Sequence, residues 1–138
     1  MKILIDTNVI LDVLLNRGAF YHTSRAIFEL AERKQIIGCI NASVFTDIFY
    51  IISKEFKNIE SVYKAIKIIT ALFSIVPVSE TTITSAIALH WKDFEDAVQC
   101  MAAKENDIAY IITRDKAGYE NSTVPCMTPT EFILFFKK

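Results

Sequence analysis

Short runs of consecutive apolar residues alternate along the chain with longer segments in which apolar residues recur at every third or fourth position. Apolar runs without polar alternation, such as 3–5 and 108–112, are typical of strands covered on both faces, as in a parallel sheet. Five segments predict strands, with the fourth the longest apolar run and the last at an edge. They cover residues 3–5, 36–40, 75–78, 108–112 and 124–127.

Helices are predicted by the three- and four-residue spacing of apolar positions, which is clear in 62–73. Asp93 has the chemistry of an N-cap, and the sequence 128–131 is a capping box with proline at the first helical position. We expect 16–18 to end the first helix. Five predicted helices cover 7–15, 23–33, 44–53, 62–73 and 79–89. A sixth follows Asp93, with a predicted buried stripe of Phe94, Ala97, Val98, Met101 and Ala102. A last helix follows Thr128.

This alternation predicts an α/β fold. Strands separated by helical segments form right-handed crossovers, which give a parallel sheet covered by helices. The chain has 138 residues, enough for one domain with its own core, so we expect residues 1–138 to form a single domain. In such sheets ligands bind at the carboxyl ends of the strands, near the point where the strand order reverses. Polar residues that directly follow strands are therefore candidates for a site.

Composition indicates a folded protein without a strong attraction for polyanions. Hydrophobic residues make up 52% of the chain and charged residues 22%, and the net charge is -1. If the chain binds RNA, local Lys and Arg side chains or bound cations must meet the phosphates. The apolar run before Asp6 is too short for a signal peptide, and no long uncharged apolar span follows, so we expect a cytoplasmic protein that does not enter a membrane.

The cysteines and histidines do not indicate a metal site. Cys39, Cys100 and Cys126 are odd in number, far apart and set in apolar stretches, which is typical of reduced buried thiols. Since His22 and His90 are also well separated, a zinc site is not expected.

Five aspartates fall where the predicted sheet would place a site. Asp6 and Asp115 follow predicted strands, so both should project from strand carboxyl ends. Asp96 lies in the first turn of its helix at the positive end of the backbone dipole, and Asp93 precedes it on the same face. Asp47 lies early in the helix that follows the second strand. We expect these carboxylates to meet on one rim of the sheet.

Repulsion would make such a cluster dependent on a cation. Two carboxylates about 4 Å apart repel by roughly 4 kcal/mol at an effective dielectric of about 20. A hard divalent cation with oxygen ligands, Mg²⁺ or Mn²⁺, supplies the missing positive charge. Such an ion can activate water and stabilise a leaving oxygen in phosphodiester hydrolysis, without a serine or cysteine nucleophile.

Each polar residue also has a purely structural interpretation. Asp6, Asp93 and Asp96 could be helix caps or partners of the helix dipole, and Asp47 and Asp115 could be solvated surface residues. Candidate supporting residues stand beside them and either orient ligands and water or serve as caps: Thr7, Asn8 and Thr113. Arg114 either contacts phosphate or forms a surface salt bridge.

Three segments resemble the PIN domain (PilT N-terminus), in the order found in VapC-like toxins. They are ILIDTNVILD at the N-terminus, DFEDAVQCMAAKENDIAYIITRD, and VPCMTPTEF near the end. The resemblance runs from about Lys2 to Phe132. It implies a five-stranded parallel sheet flanked by helices in a Rossmann-like three-layer sandwich, often as a homodimer, with Mg²⁺- or Mn²⁺-dependent endoribonuclease activity.

The resemblance also implies site residues. Asp6 matches the first acidic residue of the family, Asp96 the third and Asp115 the fourth, and these three would hold the metal. The second family acid, commonly Glu, corresponds to Asp47. Because Asp47 is one methylene shorter than Glu, we expect it to reach a metal only through water. Gly118 stands where relatives often carry an acidic residue before an aromatic one, so we expect one metal ion rather than two.

Other interpretations of the carboxylates are weaker or remain open. A haloacid-dehalogenase-type phosphatase would have an acid at position 8, which is Asn8, and a receiver domain would have an acidic neighbour of Asp6. Phosphate-loop and dinucleotide-binding glycine motifs do not occur. The open alternative is a catalytically weakened PIN-like module that binds RNA or a protein partner. If the chain is instead the toxin of a toxin–antitoxin pair, a small antitoxin would cover its groove.

Overall fold

The computed structural model describes residues 1–138 and contains one sheet of five parallel strands in the order β3-β2-β1-β4-β5. Ile3 of the central strand pairs with Gly38 on one side and with Tyr110 on the other. The five-stranded α/β fold predicted from the sequence is therefore confirmed. The strands are β1 (Lys2–Ile5), β2 (Ile37–Asn41), β3 (Ser74–Val76), β4 (Tyr110–Ile112) and β5 (Cys126–Met127).

Seven α-helices connect or follow these strands. Two 3-10 helices, Ala42–Val44 and Lys116–Tyr119, follow β2 and β4. No helix combines the length and the apolar character needed to span a membrane. The α-helices are α1 (Thr7–Leu14), α2 (Gly18–Glu32), α3 (Phe45–Glu55), α4 (Ile59–Leu72), α5 (Glu80–Leu89), α6 (Phe94–Glu105) and α7 (Pro129–Phe136).

The helices form layers on both faces of the sheet because successive strand residues point to opposite sides. Ile3 and Ile5 lie in the larger core, with residues from α1, α2, α3, α4 and α7. Leu4 lies in a second core on the other face, with Ala102 of α6. A third cluster, which includes Ala86 and Ala97, joins α5 to α6. The result is the expected three-layer sandwich.

Several predicted boundaries were wrong. Helix α2 begins at Gly18 rather than at residue 23, because Asn16 (φ 49°) and Gly18 (φ 44°) take left-handed backbone conformations that turn the chain at once into a new helix. Strand β4 covers only the second half of the predicted 108–112, and β5 only the second half of 124–127. Ile108 is still buried, since its side chain packs in the second core with Leu4 and Ala102.

The predicted buried stripe of α6 was wrong at its first residue. Ala97, Val98 and Ala102 are buried, but the Phe94 side chain is 47% exposed. Phe94 is the first residue of the helix and belongs to none of the buried clusters that cover α6 further along. The helical period therefore identified the buried face of α6 correctly, but it did not show at which residue the burial begins.

Capping residues lie where the sequence predicted them. The Asp93 carboxylate accepts a hydrogen bond from the backbone N–H of Asp96 at 3.1 Å and so caps α6. Thr128 and Glu131 form the reciprocal capping box that begins α7. Before α3, Asn41 caps the 3-10 helix Ala42–Val44, since its side chain accepts from the Ser43 N–H at 3.2 Å, whereas α3 itself begins after Val44 without a side-chain cap. All three cysteines are free thiols, and Cys39 and Cys100 are buried as expected, whereas Cys126 is only half-buried.

Strand order places the carboxyl ends of β1 and β4 side by side. From β1 the chain builds β2 and β3 outward on one side, then crosses back to build β4 and β5 on the other. The order therefore reverses between β1 and β4, and a crevice opens at their carboxyl ends. Asp6 directly follows β1, and Asp115 comes three residues after Ile112 ends β4.

Candidate active site at the ends of β1 and β4

Asp6 is the most firmly held carboxylate at this crevice. Its side chain is 7% exposed and caps α1 by accepting from the Thr7 N–H at 2.7 Å. The same oxygen, Oδ1, accepts from Gln99 Nε2 at 2.9 Å, and Oδ2 accepts from Thr113 Oγ1 at 2.7 Å. Donors from three parts of the chain therefore fix the orientation of a buried carboxylate, which otherwise would be costly to desolvate.

Thr113 and Asn8 tie the turn after β4 to the start of α1. Thr113 is fully buried, and its hydroxyl accepts from the Asp115 N–H at 3.1 Å while it donates to Asp6. The side-chain oxygen Oδ1 of Asn8 accepts a hydrogen bond from the backbone N–H of Arg114 at 3.3 Å. The two side chains thus set where Asp115 leaves the sheet relative to Asp6, which makes them positioning residues of the site.

Gln99 and Tyr119 connect Asp6 to Asp96. Gln99 is fully buried on α6, and its Nε2 donates to both Asp6 and the Tyr119 hydroxyl, the latter at 3.0 Å. The Tyr119 hydroxyl in turn hydrogen-bonds the Asp96 carboxylate. Burial and the charges of Asp6 and Asp96 raise the pKa of Tyr119 far above its ordinary value, so the hydroxyl stays protonated and donates.

Asp96 is half-buried among other carboxylates. Burial, then the charges of Asp93 and Asp6, raise the pKa of Asp96 to about 6, with a smaller contribution from Asp115. Its Oδ2 lies where a side chain at Gly118 would begin, since a Cβ there would be only 2.5 Å from that oxygen. Gly118, noted in the sequence as a missing acidic residue, therefore gives Asp96 its room.

Asp47 joins the cluster through Glu95, a residue that sequence reasoning did not select. The two carboxyl groups hydrogen-bond to each other across α3 and α6. Partial burial, this hydrogen bond and the charges of Asp47 and Asp6 raise the pKa of Glu95 to about 7. With a pKa of about 7, the Glu95 carboxyl group gains or loses its proton near neutral pH.

The carboxylates line one cleft of about 370 Å³ at the sheet edge. The structure brings together Asp6, Asp96 and Asp115 there, but Asp47 is not among the lining residues and interacts with Glu95, which is. Arg17 is the single basic side chain in the wall. Other candidates among the lining residues are Thr7, Asn8 and Asp93.

Arg114 forms a salt bridge, but with a buried partner. Its Nε and Nη2 donate to the two carboxylate oxygens of Asp12 at 2.7 Å and 3.1 Å, and Asp12 is fully buried in α1. The guanidinium also lies 4.0 Å from the centre of the Phe20 ring. This bidentate, stacked arrangement holds the turn after β4 against α1.

Some site residues left weak signals in the sequence. Asp12 interrupts the apolar run of α1, and Gln99 interrupts the buried stripe of α6 between Val98 and Cys100. Buried polar side chains need partners, so both positions pointed to specific interactions. Their partners lie far away in sequence, however, and only the strand order brings them together.

The donor set fits a hard divalent cation, although no group of three or more His, Cys, Asp or Glu side chains is already arranged around one point. Carboxylate oxygens are the ligands that Mg²⁺ and Mn²⁺ prefer. Four further facts agree with this chemistry: Asp96 and Glu95 have raised pKa values, Asp115 is exposed, and Arg17 alone opposes the negative charge.

Comparison with known proteins agrees with this fold. The sequence model of the PIN domain family matches residues 2–117. The chain therefore belongs to the PIN domain family, as its sequence motifs indicated.

Individual relatives have the same overall extent. Ribonuclease VapC1 of Aquifex aeolicus is 25% identical over 136 residues, which cover 95% of this chain and 92% of that protein. The solved structure of VapBC2 from Rickettsia felis bound to a promoter DNA fragment has a TM-score of 0.72 at 15% identity, covering 93% of this chain and 98% of the other. VapC20 of Mycobacterium tuberculosis, a toxin that cleaves the sarcin-ricin loop, has a TM-score of 0.63 at 14% identity, covering 79% and 86%.

Proposed function

We propose that the chain is a Mg²⁺- or Mn²⁺-dependent endoribonuclease that hydrolyses RNA phosphodiesters. The observation that supports this most directly is the meeting of Asp6, Asp96 and Asp115 in one cleft at the carboxyl ends of β1 and β4. The similarity to a ribonuclease over nearly the whole chain points to the same activity.

The side chains at this cleft have different roles in the proposed reaction. Asp6, Asp96 and Asp115 would hold a metal ion, which would supply activation of water and positive charge beside the phosphate. Thr113, Gln99 and Tyr119 keep Asp6 and Asp96 in place through the hydrogen bonds described above. Asp47 acts through Glu95, whose carboxyl group orients the attacking water and takes up its proton. The water oxygen bonds to phosphorus, the bond from phosphorus to the leaving ribose oxygen breaks, and that oxygen takes a proton from a solvent water.

Supporting roles follow from the same geometry. Asp93 caps α6 and adds negative charge beside Asp96. Thr7 and Asn8 line the cleft near Asp6, and Arg114 braces the turn that carries Asp115. Gly118 has no carboxylate to offer a second ion, so one metal ion is proposed.

We further infer a biological role as the toxin of a toxin–antitoxin pair in the cytoplasm. Structures with the same fold include VapBC and FitAB complexes, which supports a small antitoxin as partner. A homodimer as the working form is inferred from the family resemblance alone. Expression of the chain without a partner should arrest growth, and co-expression of the neighbouring small reading frame should restore it. Unharmed growth at confirmed expression would count against the toxin role but not against nuclease activity.

The test of the nuclease uses purified protein and a pool of RNA substrates. Chelator should abolish cleavage and added Mg²⁺ or Mn²⁺ should restore it, and Asp96→Asn should remove it. Asp107→Asn is the matched control, since Asp107 is an exposed aspartate outside the cleft. Its backbone is left-handed, a conformation that asparagine also tolerates well. Chelator-resistant cleavage, or full activity in Asp96→Asn, would contradict the proposal. Metal binding without cleavage would favour the weakened module that binds RNA or a protein.

A further inference from the structure

A larger cleft of about 1100 Å³ opens beside the carboxylates and shares Asp93, Asp96 and Asp115 with theirs. One wall is the segment between α5 and α6, and the other follows the 3-10 helix Lys116–Tyr119. Its volume exceeds the roughly 300–1,000 Å³ of sites for small molecules. A cleft of this size next to the reacting centre suits a segment of a polymer.

Phe94 is the unexplained residue of this wall. Its ring is 47% exposed and belongs to none of the buried clusters, although it directly follows the α6 cap and stands two positions before Asp96. The neighbouring aromatic differs, because Trp91 packs on two buried clusters and lies edge-on to Tyr119 at 6.3 Å. Trp91 thus fixes the segment, while the Phe94 ring remains free.

The charges that line this cleft do not attract the phosphates of a nucleic acid. Asp93, Asp96, Asp115 and Glu120 line it, and Lys92 is the only lysine or arginine among the lining residues. A negative wall repels phosphate, so affinity for RNA must come from another source beyond the metal ion. Nucleobases stacked on aromatic rings provide such a source, and this stacking tolerates any base.

We propose that Phe94 is a stacking platform for a nucleobase of single-stranded RNA near the scissile phosphate. Lys92, exposed two residues before it, contacts the phosphate that follows this nucleotide. This inference rests on the proposed nuclease function and adds where the substrate strand lies. It also implies that unpaired RNA is preferred, because a base inside a duplex cannot reach the ring.

The test uses a short RNA that the parent protein cleaves, together with versions in which each nucleotide near the cleaved bond lacks its base. Phe94→Ala should raise KM on the order of 10-fold with little change in kcat, and Phe94→Trp should restore the parent value. Removing the base that stacks should raise KM for the parent to the same extent and cause no further rise in Phe94→Ala. Tyr63→Ala, an aromatic of 52% exposure on α4 that lines neither cleft, is the control.

Two results would overturn the platform. One is a Phe94→Ala protein whose KM matches that of Tyr63→Ala, and the other is an equal penalty on intact and base-deleted RNA, which indicates a structural or protein-binding role. Thermal unfolding of each variant identifies loss of fold. If the parent cleaves RNA and either result appears, only the proposal for Phe94 fails. A folded parent that neither binds nor cleaves RNA would overturn both the proposal for Phe94 and the proposed nuclease function.

Discussion

Gln99 holds Asp6 from the opposite side of the active-site crevice, with its Nε2 2.9 Å from Asp6 Oδ1. The same amide nitrogen lies 3.0 Å from the hydroxyl of Tyr119, which hydrogen-bonds Asp96. One buried side chain on α6 therefore sets two of the three proposed metal ligands. Such outer partners of ligands govern affinity by fixing where the ligands point.

Replacing Gln99 by Leu should weaken Mn²⁺ binding about 10-fold, because Asp6 and Tyr119 lose their shared donor. Calorimetric titration of chelator-treated protein measures the change. The same replacement at Gln35, an exposed residue after α2, is the control and should bind like the parent. Equal affinity in Gln99→Leu would show that Asp6 needs no help from α6.

Gly118→Ala should impair catalysis by moving a ligand. The new Cβ would lie 2.5 Å from Asp96 Oδ2, so the carboxylate must swing away. Displacements of about 1 Å at a reacting centre cost up to about 100-fold, and we expect kcat to fall at least 10-fold. Ala71→Ser, at an exposed position of α4 that lines neither cleft, is the control. Parent-like kcat in Gly118→Ala would mean that Asp96 works equally well in another orientation.

The metal-free protein should be more stable in mild acid than at neutral pH. Burial and neighbouring carboxylates raise the pKa of Asp96 from 3.8 to about 6 and that of Glu95 from 4.5 to about 7. Protonation of these groups therefore stabilises the fold, and this stabilisation is complete below their ordinary pKa values and lost as pH rises through about 6 to 7.

Thermal unfolding with chelator tests this pH dependence. The midpoint should be higher at about pH 5 than at about pH 7.5, and Asp96→Asn should reduce the difference because one raised carboxyl is gone. Added Mn²⁺ should raise the midpoint mainly at the higher pH, where the ligands are ionised. A midpoint that instead climbs from the lower to the higher pH, with no effect of Asp96→Asn, would contradict the repulsion described at this site.

The Asp12–Arg114 pair should matter for stability. Asp12→Asn removes the buried charge that Arg114 contacts at 2.7 Å, and loss of one partner of a buried pair costs roughly 3 kcal/mol. The comparison is Arg17→Gln, which removes a longer contact of 3.7 Å made by a partly exposed side chain and should cost under about 1 kcal/mol. Denaturant unfolding gives both values, and similar small losses would mean that the buried pair contributes nothing special.

Local sequence signals predicted most of the fold. Apolar runs identified the strands, and the caps at Asp93 and Thr128 placed the starts of α6 and α7 because capping depends on residues within one turn. The turn at 16–18 was misjudged because a left-handed residue can redirect a helix as well as end it. Phe94 was misplaced because helical period says which face is apolar, not how far the neighbouring helix extends.

The site was only partly predictable. Asp6, Asp96 and Asp115 follow from strand ends and helix starts, which are local features, and the structure places all three in one cleft. The pairing of Asp47 with Glu95 depends on how α3 packs near α6, and that of Gln99 with Asp6 on a strand order that joins distant parts of the chain. Such pairs of residues can be identified only once the fold is known.

Calorimetric titration of Mn²⁺ into the chelator-treated protein tests the central claim most directly, with Asp96→Asn and Asp107→Asn measured beside the parent. The account predicts saturable binding by the parent and by Asp107→Asn, and binding that is lost or strongly weakened in Asp96→Asn. Equal binding by Asp96→Asn, or no binding by a folded parent, would contradict a catalytic metal site built from these carboxylates.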